Sequence, residues 1–171
     1  MTSDEKRKRI LLEARRLFAE KGFHAVSIPE IVKASGVSTG SVYNYFTSKE
    51  DLAHEIYKVS RIELEKRVEI RVSKEVTTYD KLCAVVDSFL EFAEIKYDLI
   101  AFLFLSECLH GSIKQTSIFD LPTGKITLRI FSEGIEQLDL KPGNLPNKIC
   151  AFYGILLMNI RTHFRNQKND P

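Results

Sequence analysis

The sequence predicts an all-α fold: a small three-helix module at the N-terminus and a longer helical domain behind it. Three observations carry this prediction. Apolar residues recur at three- and four-residue spacing along most of the chain. No five-residue stretch alternates apolar and polar residues between turn signals, and the β-branched residues are scattered among helix formers. Gly22, Gly36 and the run Lys141-Pro142-Gly143-Asn144 sit where helices should stop.

Composition narrows the class. The 171 residues are 44% hydrophobic and 28% charged, as in a soluble globular protein with one sizeable core or a small module fused to a second one. The richest apolar run, Leu99 to Leu105, is far below the roughly 18 residues that span a membrane. The opening MTSDEKRKR lacks the apolar segment of a signal peptide, so a cytoplasmic location and no membrane partner are expected. Cys83, Cys108 and Cys150 lack metal-ligand spacing and read as small buried hydrophobes in a reducing compartment. Residues 1–60 hold ten Lys/Arg against eight Asp/Glu, while the remainder is balanced. Lys6, Arg7, Lys8 and Arg9 form a cluster that by itself reads as a solvated basic tail.

The first helix is expected over about Asp4 to Lys21, with Ile10, Ala14, Leu17 and Phe18 on one face, Gly22 as its stop and Phe23 turning back into the core. Ser27-Ile28-Pro29-Glu30 is a capping box with proline in the first turn, so a short helix runs to Ser35 and ends at Gly36. Another starts at Ser38 and ends near Phe46. The fourth, from about Lys49 to Ser73, is roughly 37 Å long at 1.5 Å per residue. Helices follow over Thr77–Tyr97, Leu99–His110, Thr123–Leu138 and Leu145–Phe164, with an irregular connection between Gly111 and Leu121. The division is a first domain at 1–48 and a second at 49–171, whose tail 165–171 is expected to be disordered.

Two short helices joined by a glycine turn form the geometry in which one helix braces another in the DNA major groove. Ile31, Val32, Val37 and Val42 set the angle between them, and Ala34 is small enough not to spread them. The outer face of the second holds Ser38, Thr39, Gly40, Ser41, Tyr43, Asn44 and Tyr45. A face bound only for solvent more often carries Glu and Lys, whereas a face entering a groove needs donors, acceptors and close approach. Ser27, Lys49, helix amide ends and the basic cluster lie around it as candidates for phosphate contact.

The residues Arg9-Ile10-Leu11, Leu17-Phe18-Ala19-Glu20-Lys21-Gly22-Phe23, Ser27-Ile28-Pro29-Glu30-Ile31 and Ala34-Ser35-Gly36-Val37-Ser38 occur in the N-terminal pattern of one family. So do Gly40-Ser41-Val42-Tyr43-Asn44-Tyr45-Phe46 and Ser48-Lys49-Glu50-Asp51-Leu52. Over about residues 5–60 the chain resembles the TetR family of bacterial transcriptional regulators; beyond that it is similar only in helix count and placement. The resemblance implies that Ser38, Thr39, Gly40, Ser41, Tyr43 and Asn44 face the major groove. It implies that Tyr43, Tyr45 and Lys49 hold phosphates, and Ser27 the backbone near the second helix. The commonest base contact, Arg or Lys bidentate to guanine, has no donor in this helix. Thr39, Ser41, Asn44, thymine methyl contacts and DNA shape are then left to specify the operator.

The resemblance also implies a C-terminal domain that binds a small effector and forms a homodimer on a palindromic operator in double-stranded DNA. The last helix is apolar over more than one face, and paired with residues 123–138 it would build a four-helix bundle across a two-fold axis. Interface candidates are Leu128, Ile135, Ile149, Phe152, Leu156, Ile160 and Phe164. Pocket candidates are Phe89, Phe92, Phe102, Phe104, Cys108, His110, Phe119 and Tyr153, although each singly reads as plain core. An apolar or amphipathic effector is expected, with no cofactor or metal, shifting the dimer between two states through the long helix from Lys49. The expected function is a ligand-responsive repressor; the alternative keeps the fold as a DNA-bound interaction or nucleoid-associated protein without effector. An enzyme is not expected: there is no nucleophile elbow, no phosphate loop and only the scattered His24, His54, His110 and His163.

Overall fold

The computed structural model describes residues 1–105 and 122–169. Cys108, His110, Phe119 and the expected connection 111–121 lie outside the described residues, as does the side chain of Phe164. Every element among the described residues is helical. Two compact units result: Met1–Ser60 with the described part of Lys96–Lys114, and Arg61–Ile95 with the described part of Gln115–Pro171.

The first unit is built around α1 (Ser3–Lys21). Thr2 caps it reciprocally with Glu5, and it stops at Gly22, whose φ of 85° suits glycine. Its inner stripe of Ile10, Leu11, Ala14, Leu17 and Phe18 is buried. Phe23 folds back so that its ring centroid lies 5.2 Å from that of Phe18. Next come α2 (Ile28–Ser35) and α3 (Thr39–Tyr45), followed by the start of α4 (Lys49–Val72). Leu52, Ala53, Ile56 and Tyr57 of α4 add to the same core. The unit is completed by α6 (Tyr97–Ile100) and the π-helical turn Ala101–Leu105, both packed on α1. Phe102 stacks on Phe18 at 6.2 Å.

After Lys96, which leaves helical geometry at φ −142°, ψ 51°, the described part of the expected helix over Leu99–His110 is helical, as the end of α6 followed by the π-helical turn. Leu99, Ile100, Ala101, Phe102 and Leu103 are all buried. A helix apolar on every face is one buried on every side.

The second unit joins the remainder of α4 to α5 (Thr78–Ile95), α7 (Gly124–Glu136) and α8 (Leu145–Asn169). Its core holds Leu64, Val68, Val85, Phe89, Ile130, Ile149, Tyr153, Leu156 and Ile160. Glu91 of α5 is clamped by Arg67 at 2.6 Å and by Arg71, both of α4, and these guanidiniums hold its carboxyl below the usual carboxylate range. Helices α5 and α7 meet at a glycine: a Cβ on Gly134 would lie 2.5 Å from Thr78 Cγ2 and 3.0 Å from Leu140 Cδ1. Helix α8 runs to Asn169. From Arg161 to Asn169 there is no Gly or Pro, and Arg, Gln and Lys favour helix.

Candidate nucleic-acid interface

The reading helix is positioned from α2 upward. Ser27 Oγ accepts from the Glu30 amide at 3.4 Å, while Glu30 Oε2 accepts from the Ser27 amide at 2.8 Å, closing the capping box. Lys21 adds an ion pair to Glu30 at 3.0 Å. The Ser27 amide foremost, then Lys21 and the Ser27 hydroxyl, hold the Glu30 carboxyl at about 2. Gly36 ends α2 at φ 65°, ψ 22°, the left-handed region where a side chain is costly. Val37 and Val42 then pin α3 against Ile31, all three buried. Ser38 caps α3, accepting from the Ser41 amide at 3.3 Å.

The opposite face is open. Ser38, Thr39, Gly40, Tyr43 and Asn44 are exposed, and Ser41 is half-buried. The seven residues of α3 span roughly 10 Å at 1.5 Å each, short enough to lie in a groove roughly 12 Å wide. A Cβ on Gly40 would meet nothing within 4 Å inside the protein. Glycine is a poor helix former, and no internal contact calls for it here.

Two of the expected phosphate ligands have internal duties. The Tyr45 hydroxyl donates to the Ser3 carbonyl at 2.9 Å and lies 2.8 Å from Ser3 Oγ, tying α3 to the first turn of α1. Lys49 Nζ donates to the carbonyls of Phe23 and Val26 at 2.9 and 3.0 Å, and sits 4.4 Å from the Phe23 ring centroid. Two of the three Lys49 donors thus brace the loop that delivers Ser27. The basic cluster is also partly used. Arg7 pairs with Glu55 at 2.7 Å over the Phe46 ring, and Lys8 pairs with Asp4 at 2.9 Å. The Arg9 guanidinium lies beside the glycine turn, 3.8 Å from where a Gly36 Cβ would be.

Sequence reasoning missed the buried Arg15. Its Nε donates to Asp98 at 2.6 Å and its Nη1 to Ser60 at 3.4 Å, joining α1 to the start of α6. The available signal was an arginine set between Ala14 and Phe18 on an apolar stripe.

The described pocket candidates fall in both units. Phe89 and Tyr153 lie together in the second unit, ring centroids 6.0 Å apart, with Phe92 buried in the same unit. Phe102 packs instead on Phe18 in the first unit, and Phe104 is half-buried there. The Tyr153 hydroxyl is held by Thr123 Oγ1 at 2.6 Å and Thr127 Oγ1 at 2.8 Å, and burial pushes its pKa up. Thr123 takes a left-handed φ of 65° to do this, a strained choice for a β-branched residue.

Of the interface candidates, Ile149, Leu156 and Ile160 are buried within their own unit. Leu128, Ile135 and Phe152 are half-buried. The exposed stripe of α8 is Ala151, Gly154, Ile155 and Met158, at spacings of three and four, with Ile155 67% and Met158 63% exposed. Cys150 is exposed beside it and Cys83 half-buried, contrary to the buried cysteines expected.

A braced short helix with an uncharged, hydrogen-bonding outer face defines a helix-turn-helix DNA-binding regulator. Residues 10–56 match the family model described as bacterial regulatory proteins, tetR family. Over those residues the chain carries the DNA-binding module of the TetR family. It is 26% identical over 137 residues to the fatty acid metabolism regulator protein of Bacillus subtilis (strain 168), an alignment spanning 78% of this chain and 70% of that one. The fold is similar to the transcriptional regulator FadR from Bacillus subtilis in complex with stearoyl-CoA. There the TM-score is 0.78 and the identity 22%, covering 95% of this chain and 89% of the other. It is also similar to AibR in complex with isovaleryl coenzyme A and operator DNA, with TM-score 0.73 and identity 20%, covering 91% and 86%. No helix among the described residues is long and apolar enough to cross a membrane.

Proposed function

We propose that this protein is a homodimeric cytoplasmic repressor whose hold on its operator is released by an acyl-CoA. The observation that carries the effector is the reach of the likeness to the fatty acid metabolism regulator, which runs well past the DNA-binding module. Two proteins of similar fold are complexes with coenzyme A thioesters. An acyl-CoA is amphipathic, with an apolar chain for a core such as that around Phe89 and a charged end for solvent.

In this reading Ser38, Thr39, Gly40, Ser41, Tyr43 and Asn44 enter the major groove. Asn44 is suited to adenine, and the hydroxyls serve either base type. Ser27 sits at the phosphate backbone, while Tyr45 and Lys49 hold the reading helix and its loop in register. The dimer closes over Ala151, Gly154, Ile155 and Met158 of α8 with Leu128, Ile135 and Phe152 at its edge. Gly154 has no internal atom within 4 Å of a Cβ position, so another helix can approach closely there. Two recognition helices roughly 34–36 Å apart then match successive major grooves.

The test is to map the bound DNA genome-wide and measure operator affinity with and without stearoyl-CoA. Weakened operator binding by stearoyl-CoA at saturating concentration is the expected result. Affinity that is indifferent to acyl-CoAs of every chain length would remove the effector and leave the DNA-binding reading.

A further inference from the structure

We propose that the groove between α4 and the first turn of α7 takes the phosphate-bearing end of the coenzyme A thioester, a binding site that rests on the acyl-CoA reading above. Arg61, Ile62, Lys66 and Glu69 of α4 line it, with Lys125 and Ile126 of α7. Its volume of about 450 Å³ is in the range of small-molecule sites. Ile62, 54% exposed, and the half-buried Ile126 make an apolar surface that a flat ring or a pantetheine arm can cover.

Charge decides what else the groove accepts. Its carboxylates are already engaged. Glu65 accepts from Arg61 Nε at 2.8 Å and from the Thr123 amide at 3.4 Å, and Glu69 accepts from Arg129 at 2.8 Å. Lys66 and Lys125 are exposed, and among the described residues neither is paired with a carboxylate. The first turn of α7 carries no acidic residue. Two uncommitted ammonium groups over an apolar surface favour a ligand with several phosphate charges and an organic body.

Depth supplies the second argument. Glu65 reaches from the groove to the Thr123 amide, Thr123 bonds the Tyr153 hydroxyl, and Tyr153 lies against Phe89 in the core. A molecule with its phosphates on Lys66 and Lys125 therefore has the apolar core of the same unit directly behind it. A polyphosphate head joined to a long apolar chain satisfies both ends; a free fatty acid offers only one negative charge.

The test is calorimetric titration of the full chain with stearoyl-CoA, coenzyme A and stearate. The variants are Lys66→Glu/Lys125→Glu and Lys66→Ala/Lys125→Ala, with Lys141→Glu in the exposed turn controlling for net charge. The charge reversal is expected to weaken stearoyl-CoA binding about tenfold or more and to flatten its salt dependence. The alanine pair should weaken it less, Lys141→Glu should not weaken it, and stearate binding should stay unchanged in all three. Unchanged stearoyl-CoA binding in the reversal variant overturns the groove assignment while the acyl-CoA reading stands. Equal weakening of stearate overturns it in favour of a carboxylate site. Failure of the wild type to bind stearoyl-CoA removes the reading itself, and the groove assignment with it.

Discussion

Gly40→Ala should move stability and operator binding in opposite directions. Gly40 lies in the first turn of α3, on the exposed face, and an added Cβ meets no protein atom within 4 Å. Alanine loses less backbone entropy than glycine on entering a helix, so the variant should be more stable by about 0.5–1 kcal/mol. For a chain of 171 residues that raises the melting temperature by about 1–4 °C. The same methyl projects toward the DNA in the proposed complex, where the backbone must come close to base edges or phosphates. A loss of about tenfold in operator affinity, about 1.4 kcal/mol, is expected. Differential scanning fluorimetry and fluorescence anisotropy on the mapped operator measure the two halves separately. A fall in melting temperature would show an internal role for the glycine, and unchanged operator affinity would take α3 out of the groove at this point.

Three other outcomes follow from the same geometry. Gly134→Ala should destabilise the protein by about 1–3 kcal/mol in urea unfolding, because its Cβ would fall 2.5 Å from Thr78 Cγ2 where α5 and α7 meet. Lys49→Met, which removes charge-assisted bonds to the Phe23 and Val26 carbonyls, should cost about 1–3 kcal/mol without any DNA present. A mere phosphate ligand would weaken DNA binding and leave the urea midpoint alone. The third outcome concerns pH. Glu30 titrates at about 2 in the folded protein against an ordinary 4.5, a depressed value, so its stabilisation is present above the ordinary value and lost as pH falls from 4.5 toward 2. Urea midpoints of the wild type should drop more steeply across that window than those of Glu30→Gln, and parallel curves would refute the linkage.

What could be read in the sequence was local. The Ser27–Glu30 box and the Gly36 stop depend on residues within one or two turns of each other, so their chemistry is visible in the string itself. Arg15 shows the limit: its place on an apolar stripe is visible, but Asp98 is 83 positions away and no spacing rule pairs them. Lys49 is a similar case, since its acceptors are backbone carbonyls, which carry no residue signature. For α8 the difficulty was one of degeneracy. Ile149, Leu156 and Ile160 repeat at helical spacing, and so do Ala151, Ile155 and Met158. Only the packing of α8 in its own unit decides which stripe faces inward. The aromatic set has a related degeneracy: Phe89 and Phe102 are both buried, and no spacing rule in the sequence assigns them to different compact units.

The bond from Tyr45 to Ser3 bears on how such regulators can be re-engineered. Exchanging recognition helices between relatives treats α3 as a removable cassette. Here its last residue is fastened to the opening turn of α1, at a carbonyl and a hydroxyl 42 positions upstream. A donor helix lacking that phenol would arrive unanchored at one end, and a tyrosine-bearing helix placed where no opening turn lies within reach would lose the same anchor. The exchangeable unit is therefore discontinuous: the reading helix together with the opening turn of α1.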